Sequence, residues 1–255
     1  MGIYDRDYYR EQSQGISLGG DRTMVTNIVL VTVAFYIANM FSPSDWLTDH
    51  MELHVGSLTN PLEWYRFLTY VFAHDPHGVW HILGNMFVLW MFGRSVESVY
   101  GRREILWLYL VLIVVSGFAW ALGAKLSGGN PSHGVVGASG AVTGMVVLFA
   151  LHFPKQTILL SFVLPVPAWL MAALFVLSDI YGAAHGGIRV AYTAHLAGAA
   201  FAFAYYRSGW RLTRFIPAGL SLDRLVKRAR RRPRLRVHDP QREDVDLSHR
   251  VDEIL

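Results

Sequence analysis

The chain has 255 residues, no cysteine and a formal net charge of +4, with 53% of its residues apolar and only 16% charged. A soluble domain carries about 25% charged residues, so this composition excludes an ordinary soluble enzyme and points to lipid as part of the solvent. Without cysteine there are no disulfides and no thiolate chemistry.

In chain order, residues 1–23 form a polar N-terminal tail containing Asp5, Arg6, Asp7, Arg10 and Glu11. It lacks the apolar core ending in small residues that marks a cleaved leader, so the first apolar block is expected to be a retained span. Six such blocks follow, over residues 24–41, 80–100, 104–124, 136–153, 157–180 and 191–207. Each is expected to be a membrane-spanning helix, because the hydrocarbon core takes about 20 helical residues and lipid offers no partner to open backbone. The blocks are continuously apolar, whereas barrel strands would alternate. The fold expectation is thus an all-α membrane protein, a six-transmembrane-helix bundle over residues 24–207.

Arg22, Arg102, Arg103, Lys155 and the arginines after Arg207 fall in one set of loops, and the acid-rich 42–79 loop in the other. Basic loops stay inside, so both termini are expected in the cytoplasm, in a multi-pass protein of the cell membrane. The tail over 208–255 is basic first, with Lys227-Arg228-Ala229-Arg230-Arg231-Arg232, then acidic-leaning. Its basic run reads equally as contact with anionic membrane lipid or as a solvated tail. A basic run alone is a weak signal for nucleic acid, and none is expected as a partner.

Polar groups inside a bilayer are expensive, so each calls for a reason. The spans contain His81, Asn85, Glu97, Ser139, His152 and His195, with Asp179 near a span end. The second, fourth and sixth spans all enter from the outer side in this topology. His81 and Asn85 then lie in the first two turns of one, Ser139 in the first turn of another, and His195 in the second turn of the last. Four polar groups from three helices share one depth.

Ser139 stands in Gly137-Ala138-Ser139-Gly140. Small neighbours expose the hydroxyl, and a helix start offers free N–H groups to a developing oxyanion, although the same string can mark plain close packing. Ala194, Gly198 and Ala202 form a small-residue stripe around His195, and Gly140 and Gly144 form another. Two such stripes let helices approach closely, which brings the imidazole towards the serine as a general-base candidate. His81 and Asn85, four apart, share a face and serve either as oxyanion donors or as structural ties. His74, His77 and His81 invite a metal reading, but there is no HExxH and Asp75 is the only carboxylate nearby. No metal or cofactor is expected.

These residues resemble the rhomboid proteases over nearly all of residues 24–207. The matching pieces are Trp64-Tyr65-Arg66, His81-Ile82-Leu83-Gly84-Asn85, Gly93 through Glu97 to Gly101, Gly137-Ala138-Ser139-Gly140 and Ala194-His195-Leu196-Ala197-Gly198. The resemblance implies Ser139 as nucleophile, His195 as general base, and Asn85 and His81 as oxyanion-side groups beside backbone N–H groups near Ser139. It also implies a dyad with no essential carboxylate, so Asp179 reads as an interfacial residue. Trp64 and Arg66 would anchor the first loop. Ala191 stands where the family often has glycine.

The activity implied is serine endopeptidase cleavage of single-span membrane proteins near the outer face. A catalytically dead rhomboid-like binder predicts a lost serine or histidine, and both are present. A transporter favours internal repeats and midplane charges, and an intramembrane aspartyl protease needs two buried aspartates.

Overall fold

The computed structural model describes residues 23–42, 45–75, 78–160, 163–185 and 191–215. Most of both tails, the basic run after Leu225, and His77 lie outside the described residues. Among the described residues six long helices form an all-α membrane bundle: α1 Met24–Met40, α4 Val79–Tyr100, α5 Arg102–Leu126, α6 Ser139–His152, α7 Ala168–His185 and α8 Tyr192–Ser208. Two short helices, α2 Trp46–Met51 and α3 Arg66–Thr69, lie in the first long loop.

The helices differ in what surrounds them. Helix α4 buries Ile82, Asn85, Met86, Leu89, Phe92, Gly93 and Val96 on one face. On the other it exposes Trp80, Leu83, Phe87 and Trp90, spaced three or four apart. Such a stripe is costly in water and natural against lipid. Helix α6 behaves differently: it buries Gly140, Ala141 and Val142 and then every residue from Gly144 to Ala150. It has 14 residues, roughly 21 Å of rise, against a hydrocarbon core of about 30 Å. A helix wrapped by others need not reach both surfaces, so its first residue, Ser139, lies recessed within the bundle.

Helix α8 packs closely along α6. A Cβ at Gly198 would collide with the Gly140 carbonyl oxygen, and one at Gly144 would lie 3.0 Å from the Gly198 carbonyl oxygen. The two small-residue stripes therefore meet, and backbone touches backbone.

The first loop is tied down by polar bonds. Arg66 Nη1 donates to the carbonyls of Asp49 at 2.8 Å and Glu52 at 2.6 Å. Trp64 beside it is largely exposed. The Tyr70 hydroxyl donates to the Ile113 carbonyl at 2.9 Å. Strand β1 Leu53–His54 pairs antiparallel with β2 Gly134–Val135, matching Leu53 with Val135 and His54 with Gly134. The first loop thus grips the segment that leads into Ser139.

All six helices shift slightly from the expected bounds, and two begin well after the expected start. The fourth begins at Ser139 rather than 136, because Gly137 has φ +109°, a left-handed conformation open to glycine. The fifth begins at Ala168 rather than 157. Residues before it form the antiparallel hairpin β3 Thr157–Leu160 and β4 Leu164–Pro167. Pro165 and Pro167 lack the N–H a helix interior needs, and Thr157 and Ile158 are β-branched. Average hydropathy across this stretch hides both facts.

At the end of the bundle away from Ser139, two carboxylates join segments. Glu97 accepts from the Met24 N–H at 2.7 Å and the Val25 N–H at 2.9 Å, which ties the start of α1 to α4. Glu104 accepts from the backbone N–H of Leu212 and Thr213, from the Thr213 hydroxyl and from Tyr205.

Candidate active site

Ser139 is the first residue of α6, and no side chain caps that helix. The first bond within it runs from the Val142 N–H to the Ala138 carbonyl, so the N–H groups of Ser139, Gly140 and Ala141 have no acceptor inside the helix. Gly137 turns the chain onto this start, donating its N–H to the Tyr70 carbonyl at 2.9 Å. A Cβ on Gly137 would lie 2.8 Å from His81 Cε1, so the small residue here serves both the turn and the close approach of His81.

His195, on α8, faces Ser139 across the close α6–α8 contact. Its Nε2 lies 2.8 Å from Ser139 Oγ, and its Nδ1 lies 2.9 Å from Asp179 Oδ1 on α7. With Nδ1–H donating to the carboxylate, Nε2 is left as the acceptor for the serine proton. A hydroxyl, an imidazole and a carboxylate aligned in this order can support nucleophilic catalysis.

The pair opens into a cavity of about 280 Å³. Gly84, Asn85 and Val88 of α4 form one wall, and Phe175, Ser178 and Asp179 of α7 form another. Asn85 is buried and lines this space, and its Nδ2 has no hydrogen-bond partner. A buried amide donor left open beside a serine hydroxyl is free to bind an incoming oxygen.

The serine–histidine contact agrees with the family match: residues 61–211 fit the Rhomboid domain. The chain belongs to the rhomboid family. Members of that family are generally intramembrane serine proteases, and this rhomboid is an integral membrane protein. It is similar to RHOMBOID-like protein 12, mitochondrial, of Arabidopsis thaliana, at 26% identity over 78% of this chain and 61% of that protein. It is also similar to Rhomboid protein 1, mitochondrial, of Saccharomyces cerevisiae, at 34% identity over 57% of this chain and 41% of that one. For Presenilin-associated rhomboid-like protein A, mitochondrial, of Danio rerio, the figures are 33% identity, 60% and 40%. The chain therefore spans less than two thirds of the length of these relatives.

Within this rhomboid, Ser139, His195 and Asn85 share one cavity, as expected from their common depth. His81 does not line it. It sits one turn before Asn85, beside Gly137, with its ring 5.2 Å from that of His74. Asp179 corrects the sequence reading. A span ending at 180 puts this carboxylate at the membrane surface, but α7 runs on to His185. Asp179 is thereby more than a turn below the helix end, at the depth of His195. Its membership of an apolar span was the available signal.

His74 was also missed except as a candidate metal ligand. It is 1% exposed, and neither ring nitrogen makes a hydrogen bond of good geometry. Burial pushes its imidazole down to about 4, and His81 adds to the shift, while the Phe72 backbone opposes it slightly. Among the described residues no group of three or more His, Asp or Glu is arranged to hold a metal ion.

Proposed function

We propose that this rhomboid is an intramembrane serine endopeptidase that cleaves single-span membrane proteins beside or within their spanning helix. The observation that carries the reading is the 2.8 Å contact between Ser139 Oγ and His195 Nε2 at the recessed start of α6. Ser139 attacks the substrate carbonyl while His195 takes its proton. His195 then delivers that proton to the leaving amine, and water hydrolyses the acyl-enzyme with His195 again as base. Asp179 holds the imidazole in the productive tautomer. The N–H groups at the start of α6 and the Asn85 amide receive the oxyanion, with His81 one turn before Asn85 and beside Gly137.

The cavity walls belong to α4 and α7, whose other faces carry Leu83, Phe87, Leu174 and Leu177 exposed to lipid. A substrate segment therefore enters from the bilayer between these helices and must be unwound there, because helical carbonyls are already hydrogen-bonded. The catalytic unit is the bundle over 24–207, flanked by tails over 1–23 and 208–255. The first and last described segments, at Thr23 and Leu212–Arg214, lie at the end of the bundle away from Ser139, and the basic residues of that end assign it to the cytoplasmic side in this reading. The relatives reported above are named for mitochondria, so they lend nothing to the cell membrane as this chain's location.

A fluorophosphonate applied to the purified protein in detergent should label the wild type, fail on Ser139→Ala and label His195→Ala only weakly. Equal labelling of all three would refute the serine–histidine reading.

A further inference from the structure

A second cavity lies away from the serine, at the other end of α4. It is an open groove of about 650 Å³ lined by Trp90, Arg94, Ser95 and Ser98 of α4, by Arg102 of α5 and by Thr23 before α1. That volume falls in the range of ligand sites, about 300–1,000 Å³. The proposed proteolysis makes no use of it.

Its charge is specific. Arg94 and Arg102 are exposed, and among the described residues neither pairs with a carboxylate. The Arg94 guanidinium lies over the Trp90 ring, 4.8 Å from its centroid, a contact that favours this placement of the side chain. Glu97 also lines the groove, but both its oxygens are taken by the Met24 and Val25 N–H groups. Two exposed arginines lining one groove suit a phosphate group, which guanidinium binds bidentately; the Ser95 hydroxyl lines the same groove, while that of Ser98 donates to the Ser95 carbonyl.

The apolar surroundings select the source of that phosphate. The exposed stripe Trp80, Leu83, Phe87 and Trp90 runs along α4 and ends at the groove. An acyl chain lying on this stripe brings its headgroup phosphate to Arg94 and Arg102. A free phosphate gains nothing from the stripe. Trp90 at the mouth has the amphipathic character of residues at headgroup level.

We propose that this groove is a binding site for the phosphate headgroup of an anionic phospholipid, held by Arg94 and Arg102 with its acyl chain along α4. The site is independent of the serine chemistry and stands whether or not the protein cleaves peptides.

Native mass spectrometry of the full chain in mild detergent tests it with phosphatidylglycerol, phosphatidylcholine and inorganic phosphate as probes. Phosphatidylglycerol should be retained by the wild type and by Lys155→Gln, which removes an exposed charge outside the groove. It should bind about thirtyfold more weakly to the Arg94→Gln, Arg102→Gln double variant, the change expected when two basic residues near the surface are lost. Millimolar inorganic phosphate should not displace it. A photoactivatable phosphatidylglycerol should crosslink the wild type within the segment holding Trp90 to Arg102, a readout that needs no variant to fold. Unchanged affinity in the double variant, equal retention of phosphatidylcholine, or crosslinks confined to other helices would overturn the proposal. Displacement by inorganic phosphate would overturn the lipid assignment in favour of a free phosphate.

Discussion

At the end of the bundle away from Ser139, Glu97 takes two backbone N–H groups and Glu104 takes donors from Leu212, Thr213 and Tyr205. At the Ser139 end, Asn85 Nδ2 and both His74 nitrogens are buried with no hydrogen bond of good geometry. Both ends carry polar groups in an apolar bundle, so polarity alone does not separate structure from chemistry. The groups differ in their bonding. The bonds of Glu97 and Glu104 are made and hold segments together, whereas a buried group left open costs about 1–3 kcal/mol. At Asn85, which lines the Ser139 cavity, an incoming oxygen would complete the bond.

That contrast breaks most easily at Asp179. If it orients His195, Asp179→Asn should lower kcat by up to the roughly 10⁴-fold seen when a triad aspartate is lost in soluble serine proteases, with the unfolding temperature nearly unchanged. Wild-type turnover in the asparagine variant would return the site to a dyad. The Asn85 amide comes next. Asn85→Ala should reduce kcat by about 10²–10³-fold, the cost of one oxyanion donor, and leave KM and thermal stability close to normal. A destabilised variant with near-normal kcat per folded molecule would make Asn85 a structural tie.

Glu104 tests the other end. Glu104→Gln should cost roughly 3 kcal/mol of stability, since a side-chain amide cannot accept from all its donors, while kcat per folded molecule stays put. A stable, slow variant would mean that the far end tunes the chemistry. The smallest effect concerns pH. His74 is held below its ordinary 6.5, at about 4, so the unfolded chain binds the extra proton between those values. Its contribution is present in full above pH 6.5 and is lost as pH falls towards 4, amounting to no more than about 3 kcal/mol. Unfolding followed from pH 7 to 4 should show this decline in the wild type and a flatter one in His74→Phe. Parallel curves would remove His74 from the account.

How much of this was legible beforehand depends on the range of the signal. Ser139, His195 and Asn85 could be read because depth along a helix follows from counting, and because the glycines that let α6 and α8 touch stand beside them. Asp179 could not, because one misplaced helix end moved it to the surface. The hairpin over 157–167 was lost in an average that ignores Pro165 and Pro167. The role of Glu104 rests on partners 108 and 109 residues away, and no local pattern announces them.

The contact of Gly198 with the Gly140 carbonyl also sets an order in time. The chain is made from its N-terminus, so Ser139 enters the membrane before α8 exists. On the proposed reading, Ser139 has no base until α8 seats against α6, and an unassisted hydroxyl is a poor nucleophile. The docking of α8 would then itself be the activating event.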